Sequence, residues 1–364
     1  MKKIAITGGH FTPALALIET LGKNDGVQIL FFGRKHATEG NSTTSVEYDQ
    51  ISKRNIKFIE ITTGRLQRKF TRYTIPSLLK IPIGLLQSTF YLLKERPNVI
   101  VSFGGYLSVP VVFIGSLIGI PIISHEQASI PGLATKINSI FTQKLFLTWL
   151  QTKKFFEEDK IEVIGNLNRK LKGDTSDKNL EKFLSREGKL IFVMGGNQGS
   201  HFLNEIIFEL VDKMSNINFL HQVGTTNFAG DLDRSKKIKK DNYFALDYLG
   251  SSDFAASIKN ADLVISRSGA NTVWDLGLLG KVSILVPLPI AAGNEQFHNA
   301  KILEKAGSAV ILSQKSLTTD QLEEEIKNVF KNFEKYQKEA QQFSKTLPQD
   351  ATEKFASYVL ESAT

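Results

Sequence analysis

Lys189-Leu190-Ile191-Phe192-Val193-Met194-Gly195-Gly196-Asn197-Gln198-Gly199-Ser200-His201-Phe202 is the stretch that decides the fold class. The apolar run Leu190 to Met194 ends in a turn with three glycines, and an amphipathic segment follows from Phe202 to Met214. Strand, turn and helix in that order open a βαβ unit. The same pattern recurs on both sides of it. Upstream, strands are expected at Lys3 to Ile6, Val27 to Phe32, Ile56 to Ile61, Val99 to Phe103, Ile120 to Ser124, Lys144 to Leu147 and Glu162 to Ile164. Thr12-Pro13 reads as an N-cap followed by a helix through Leu21. Downstream, strands are expected at Asn218 to Gln222, Leu263 to Ser266, Ser283 to Val286 and Ala309 to Leu312, with helices at Thr272 to Leu279 and Leu322 to Glu339. Strands alternating with helices predict an α/β protein with doubly wound parallel sheets. At 364 residues the chain suits two such domains. The polar stretch Asn166 to Gly188 is the expected boundary, with a cleft between the domains. Ligands in such sheets sit beyond the carboxyl ends of strands.

Charged residues at 23% and hydrophobic residues at 41% describe an ordinary globular chain and argue against disorder. With no cysteine, disulfides and thiolate metal sites are excluded. The net charge of +8 favours anionic partners. Ile4-Ala5-Ile6 is too short for the core of a signal peptide. Leu107 to Ile123 is apolar, but Pro110, Gly115, Gly119 and Pro121 interrupt it, so a buried helix and strand are expected rather than a span. The chain is therefore expected to be soluble or peripheral. Arg65 to Lys94 carries Arg65, Arg68, Lys69, Arg72, Lys80 and Lys94 among Phe70, Tyr73, Ile75, Leu78, Leu79 and Ile81, with no acidic residue. That mixture suits an anionic membrane surface, against the plainer reading of a helix with its apolar face buried. No nucleic-acid motif accompanies it.

Six turns carry the chemistry. Thr7-Gly8-Gly9-His10 follows the first strand, where glycines let backbone N–H groups approach an anion. His10 either faces the cleft or caps the helix. Ser102-Phe103-Gly104-Gly105-Tyr106 either admits a ligand close to backbone or packs a helix tightly on a strand. His125-Glu126-Gln127 is costly to bury and is expected to face solvent or ligand. Side chains alternate along a strand, so His125 and Glu126 make poor joint metal ligands. Gly195 to Ser200 looks like a diphosphate cradle, since three glycines exceed what a turn needs. Arg267-Ser268-Gly269-Ala270-Asn271-Thr272 opens a helix with Asp275 one turn in, placed for ribose hydroxyls or for the helix dipole. Gly293-Asn294-Glu295-Gln296 suits sugar hydroxyls or is a solvated loop. Asp231-Leu232-Asp233 matches a metal-binding DxD pattern, but its lysine-rich surroundings mark it as a solvated loop.

Taken in order, these motifs resemble the MurG family of UDP-N-acetylglucosamine-dependent transferases over nearly the whole chain. The resemblance implies the GT-B fold: an N-terminal acceptor and membrane-facing domain over 1–165, a donor domain over 166–340, and a C-terminal helix at 341–364 packing back on the first. It implies inverting transfer of N-acetylglucosamine to a polyprenyl-diphosphate-linked muramoyl-peptide at the cytoplasmic face of the membrane, without cofactor or active-site metal. Carried over, Gly196, Asn197, Gln198, Gly199 and Ala270 to Thr272 lie at the donor diphosphate. Arg169 lies near the nucleotide, the Leu249 backbone at uracil, Asp275 at ribose and Gln296 at the donor sugar. Thr7, Gly8 and Gly9 face the transferred sugar, and Gly104, Gly105, Tyr106 and His125 the acceptor. His10 is the first candidate base, because an imidazole titrates near neutrality, and Glu126 the second. The sequence departs from the family pattern at Ala128, Asn197, Asp275 and the short run before Thr7.

Overall fold

The computed structural model describes residues 1–36, 44–64, 74–168, 175–290 and 292–363. The chain divides into two compact units, Met1–Arg169 with Pro348–Thr364, and Lys170–Leu347. Unit 1 runs β1 (Lys2–Thr7), α1 (Phe11–Leu21), β2 (Val27–Gly33), α2 (Val46–Ser52), β3 (Lys57–Glu60), α3 (Thr74–Leu78), α4 (Ile81–Glu95), β4 (Val99–Ser102), α5 (Ser108–Leu117), β5 (Ile122–Glu126), α6 (Leu133–Ser139), β6 (Lys144–Leu147) and β7 (Ile161–Val163). Unit 2 runs α7 (Lys178–Leu184), β8 (Lys189–Met194), α8 (His201–Lys213), β9 (Ile217–Gln222), α9 (Asp231–Lys237), β10 (Tyr243–Leu246), α10 (Ser251–Asn260), β11 (Leu263–Ser266), α11 (Ala270–Leu278), β12 (Val282–Leu285), α12 (Glu295–Lys305), β13 (Ala309–Ile311), α13 (Thr319–Lys331) and α14 (Phe333–Thr346). The last helix, α15 (Ala351–Ser362), belongs to unit 1 and packs on α1.

Each unit holds one parallel sheet, ordered β3-β2-β1-β4-β5-β6-β7 and β10-β9-β8-β11-β12-β13. The central strands are apolar on both faces: Ile4, Ala5 and Ile6, then Val99, Ile100 and Val101, are fully buried, as expected when helices cover both sides of a parallel sheet. In α8, Leu203, Ile206, Ile207, Leu210 and Val211 repeat at helical spacing and are all buried. Each such side chain contributes roughly 1.5–3 kcal/mol on leaving water. Order reverses beside β1 and beside β8, and the turns after β1 and β4, and after β8 and β11, flank those two switch points.

Two local expectations change and a third holds. Helix α1 starts at Phe11 with His10 as N-cap, so Thr12 is not the cap; Pro13 still lies in the first turn, where its missing N–H costs no bond. The expected helix Leu322 to Glu339 is two helices, broken at Asn332, whose side chain bonds the Asn328 carbonyl at 2.9 Å. Leu107 to Ile123 holds α5 and the start of β5, and among the described residues no helix is long and apolar enough to cross a membrane.

Helix α4 turns its small and polar residues inward: Gly84, Ser88, Leu92 and Glu95 are buried. Its large apolar residues Ile83, Leu86, Phe90 and Leu93 are exposed, at 45%, 72%, 58% and 54%. Leu79 just before it is 68% exposed. Arg65, Arg68, Lys69, Phe70, Arg72 and Tyr73 lie outside the described residues.

His125 on β5 and His221 on β9 are fully buried, and burial lowers their pKa values to about 4 and about 3, with the His10 charge adding to the effect at His125. A histidine whose folded pKa lies below its unfolded one takes its proton first in the unfolded chain as pH falls. The stability it confers is complete above about pH 6.5 and drains away toward the folded pKa, on the order of 3 kcal/mol for His125. Urea midpoints measured at pH 7, 6 and 5 are expected to fall steadily. His125→Gln should flatten part of that slope, and equal midpoints at pH 7 and 5 would contradict two buried neutral imidazoles.

Candidate functional site

At the switch point of unit 1 the first two motifs meet. The Gly9 amide donates to the Gly104 carbonyl at 2.9 Å, and the Phe103 amide to the Thr7 carbonyl at 2.8 Å. The contact is so close that a Cβ on Gly105, whose φ is +76°, would sit 2.6 Å from Gly9 N. The glycines here serve backbone packing first. Beneath them Asn138 of α6 donates to Ser102 at 3.1 Å and Ser108 at 2.7 Å, tying the end of β4 to the start of α5. Thr7 is fully buried and its hydroxyl has no partner among the described residues, so its side chain is withdrawn from the surface where it was expected to meet a ligand. Gly105 and Tyr106 are half-buried.

The third motif joins them through one side chain. The amide of Gln127 lies 2.7 Å from His10 Nδ1, and His10 is half-buried. His125 and Glu126, expected to face solvent or ligand, are instead 1% and 0% exposed. Glu126 is satisfied within the protein and His125 on one ring nitrogen, which lowers the cost of burial; His125 Nδ1 has no partner among the described residues. His125 Nε2 meets the Gly165 carbonyl at 3.0 Å while its ring packs on Phe103 and Phe355. Glu126 accepts from the amides of Ala128 at 2.9 Å and Gly132 at 3.3 Å. Neither side chain reaches the surface, which moves His125 off the acceptor and Glu126 off the base. Glu126 shapes the loop that presents Gln127.

Unit 2 gathers the other three motifs. Arg267, 9% exposed, donates to Ser200 Oγ at 2.8 Å and to the Val286 carbonyl at 2.9 Å. Among the described residues no carboxylate pairs with it. Burial lowers its pKa to about 10, so it stays charged at neutral pH. A cation held by neutral oxygens beside the N-termini of α8 and α11 makes this end of the sheet strongly favourable to an anion. Ser268 Oγ donates to the Gln296 carbonyl at 2.8 Å, and Gln296 Oε1 accepts from the Leu288 amide at 2.9 Å. Ala270 opens α11, Asn271, Thr272 and Asp275 are half-buried, and Leu249 is buried in the turn after β10. Arg169 lies outside the described residues.

The glycine count after β8 overstates the case for a cradle. A Cβ on Gly199 (φ +88°) would come within 2.1 Å of the Val223 carbonyl, so close packing alone demands that glycine. Gly196 has open space around it, and Gly196, Asn197 and Gln198 are exposed. Beside them lies a cavity of about 210 Å³ lined by Gln198 to His201, Asn204, Thr226, Phe228 and Asp231.

Asp231 is not in a solvated loop. It starts α9, is 2% exposed, and accepts from Asn204 Nδ2 at 2.7 Å, with His201 Nδ1 at 2.8 Å. Its lysine-rich neighbours hid a buried helix start. His201, Glu205 and Asp231 place ligand-type atoms within 4.8 Å of one another. Those atoms already serve the protein: Arg234 bonds Glu205, while Asp231 holds His201 and Asn204.

Gln127, Asn138 and Arg267 are the residues that sequence reasoning left without a role. Gln127 and Arg267 stood inside quoted motifs, and their neighbours in the fold supply the missing information. Asn138 gave no signal at all in the sequence.

Residues 7–147 match the glycosyltransferase family 28 N-terminal domain and residues 190–355 its C-terminal domain. A Clostridium perfringens protein named UDP-N-acetylglucosamine--N-acetylmuramyl-(pentapeptide) pyrophosphoryl-undecaprenol N-acetylglucosamine transferase is 35% identical over 342 residues, 92% of each chain. The crystal structure of Acinetobacter baumannii MurG superposes with a TM-score of 0.75 at 23% identity, covering 99% of this chain and 100% of that one. A UDP-GlcNAc 2-epimerase from Neisseria meningitidis, bound to UDP-GlcNAc, gives 0.67 at 16% identity, with 99% and 100% covered. The two structural likenesses establish the fold, two Rossmann-like units of the GT-B class, and do not choose between a transferase and an epimerase. The sequence matches do choose a family: this chain belongs to glycosyltransferase family 28.

Proposed function

We propose that this chain transfers N-acetylglucosamine from UDP-N-acetylglucosamine to the muramoyl sugar of a polyprenyl-diphosphate-linked muramoyl-peptide. The observation that carries the reading is the 35% identity, over 92% of both chains, to a protein named for that transfer. Arg267 supports it independently, as a buried charge with only neutral partners among the described residues, beside a glycine-rich helix start.

Unit 2 takes the donor. The diphosphate lies against the Gly196 to Gly199 backbone and the start of α11 at Ala270, Asn271 and Thr272, where helix N-termini and Arg267 stabilise the charge that grows on departing UDP. Arg169 adds charge at the nucleotide, the Leu249 backbone meets uracil, and Asp275 accepts from ribose. Leu288 holds Gln296 Oε1 and leaves its Nε2 hydrogens for a sugar hydroxyl. Unit 1 takes the acceptor at Gly104, Gly105 and Tyr106, with Gly8 and Gly9 at the transferred sugar, and His10 is the base. The acceptor O–H proton passes to His10 Nε2 while that oxygen bonds the anomeric carbon. The bond from the anomeric carbon to the diphosphate oxygen breaks, and its electron pair leaves with UDP. One displacement at one carbon inverts its configuration.

Exposed Leu79, Ile83, Leu86, Phe90 and Leu93 form the membrane-docking surface, with Lys94 beside them over the Phe90 ring. Apolar side chains enter the headgroup boundary and the basic ones meet anionic lipid, at the cytoplasmic face where the nucleotide donor is supplied.

UDP release from UDP-N-acetylglucosamine is expected only with a short-chain analogue of the lipid-linked acceptor, and to persist in chelator. A changed UDP-sugar formed without acceptor would instead mark an epimerase. His10→Ala is expected to lower kcat by about 10²–10⁴ with UDP affinity unchanged; full turnover would remove His10 from the mechanism. Leu86→Asp combined with Phe90→Asp is expected to weaken binding to vesicles of anionic lipid by roughly 100-fold or more, from about 1.5–3 kcal/mol lost at each site. Unaltered vesicle binding by the folded variant would place the membrane contact elsewhere.

A further inference from the structure

The turn after β5 brings Gln127 to His10, and among the described residues no other hydrogen bond holds the Gln127 side-chain amide. The side chain is 7% exposed, its amide lies 2.7 Å from His10 Nδ1, and its Oε1 has no partner among the described residues. The contact can run two ways. With Gln127 Nε2 donating, His10 Nδ1 accepts and the imidazole hydrogen sits on its Nε2. With the amide turned over, Gln127 Oε1 accepts from Nδ1–H and His10 Nε2 presents a lone pair. Each orientation of the amide makes one bond to the ring, so turning it over forfeits none.

The two states differ in what His10 can do. Only the second lets Nε2 take a proton. Once it has done so, both ring nitrogens are donors, and only an oxygen facing Nδ1 keeps the contact. We propose that Gln127 is a positioning residue for His10: its side-chain oxygen accepts from Nδ1–H, fixes the tautomer with Nε2 free, and stays bonded when the imidazolium forms. Such second partners decide which ring nitrogen reacts; in hydrolases that orient an imidazole this way, the wrong tautomer costs on the order of 10⁴ in kcat. The loop is braced for this task. Glu126 is anchored by the Ala128 and Gly132 amides, and the Thr152 hydroxyl donates to the Ala128 carbonyl at 3.2 Å. The proposal rests on the reading of His10 as the base.

The titratable and charged side chains on the segments that border His10 are Lys2 and Lys3 on β1, Glu19 on α1, Tyr106 after β4, His125 and Glu126 on β5, both buried, and Lys136 on α6. Helix α15, packed along α1, carries Glu353, Lys354, Tyr358 and Glu361. A carboxylate at position 127 would be a new charge facing Nδ1 and would favour the protonated ring. The catalytically active ring is the unprotonated one, so the acid limb of kcat would move to higher pH.

The experiment is kcat against pH for the full chain with UDP-N-acetylglucosamine and a short-chain acceptor analogue, in wild type, Gln127→Met, Gln127→Glu and His10→Ala. UDP affinity and the urea midpoint of each serve as checks on folding. Gln127→Met is expected to lose about 10-fold or more in kcat with UDP affinity unchanged. Gln127→Glu is expected to keep the plateau within a few-fold and shift the acid limb upward by about one pH unit. Equal losses in both variants with the acid limb unmoved would mean that Gln127 only packs the loop, and would overturn the proposal. An inactive His10→Ala beside a fully active Gln127→Met would overturn it while leaving His10 as base. A fully active His10→Ala would remove the base reading and this proposal together.

Discussion

A parallel strand leaves its following turn at one edge of the sheet, and the next crossover must choose a face. Where successive crossovers choose opposite faces, two turns that are distant in sequence are left side by side at that edge. In unit 1 those turns follow β1 and β4, and the Gly9 to Gly104 hydrogen bond closes them on each other. In unit 2 they follow β8 and β11, and Arg267 closes them by reaching Ser200. The residues proposed for proton transfer and for holding the diphosphate are arranged around these two closures. Lengthening a side chain at Gly105 or Gly199 would drive backbone apart at the point where the functional groups are set.

The two closures differ in charge, and the difference divides the labour. Backbone, neutral groups and one anion make up the first: a half-buried imidazole, an amide beside it, a buried neutral His125, and a Glu126 carboxylate bonded to two backbone amides. On the proposed reading His10 takes up a proton there, and among the described residues its side-chain hydrogen bond is to the neutral Gln127 amide. The second has a guanidinium with no carboxylate partner among the described residues and two helix N-termini. Negative charge is favoured there from the outset, which is what a leaving diphosphate needs.

The turns themselves were legible in the sequence, because glycine and polar residues at the ends of apolar runs mark strand ends whatever the tertiary fold. What lies behind each turn was not. His125-Glu126 read as exposed because burying two ionisable groups is costly, yet the groups that satisfy them are a carbonyl forty residues away at Gly165 and two amides just beyond. Backbone partners leave no trace in residue identity. Gly199 read as part of a ligand cradle because the bulk it avoids, the Val223 carbonyl, lies just past the end of β9, more than twenty residues on. Asp231 read as solvated because a lysine-rich polar stretch follows it in sequence, while its spatial neighbours are Asn204 and His201. Local composition reports the surface of a helix well and its first buried turn poorly.

Helix α4 shows the same limit from the other side. Its spacing of apolar residues is that of any amphipathic helix, and nothing in the spacing says which face turns inward. Contact decides it. A Cβ on Gly84 would lie 2.6 Å from the Thr63 side chain, so the inward face approaches its neighbour too closely for Leu86 or Phe90 to occupy it. Ser88 and Glu95 share that buried face, Glu95 reaching Lys57 at 2.8 Å and Lys3 at 3.7 Å. The large apolar residues are thereby left in water, where each gives up roughly 1.5–3 kcal/mol that burial would return. An exposed apolar stripe of this kind marks a contact surface for another protein or a membrane. On the proposed reading the contact is an anionic bilayer, and the absence of acidic residues from Arg65 to Lys94 supports it, since an anionic surface would repel carboxylates there.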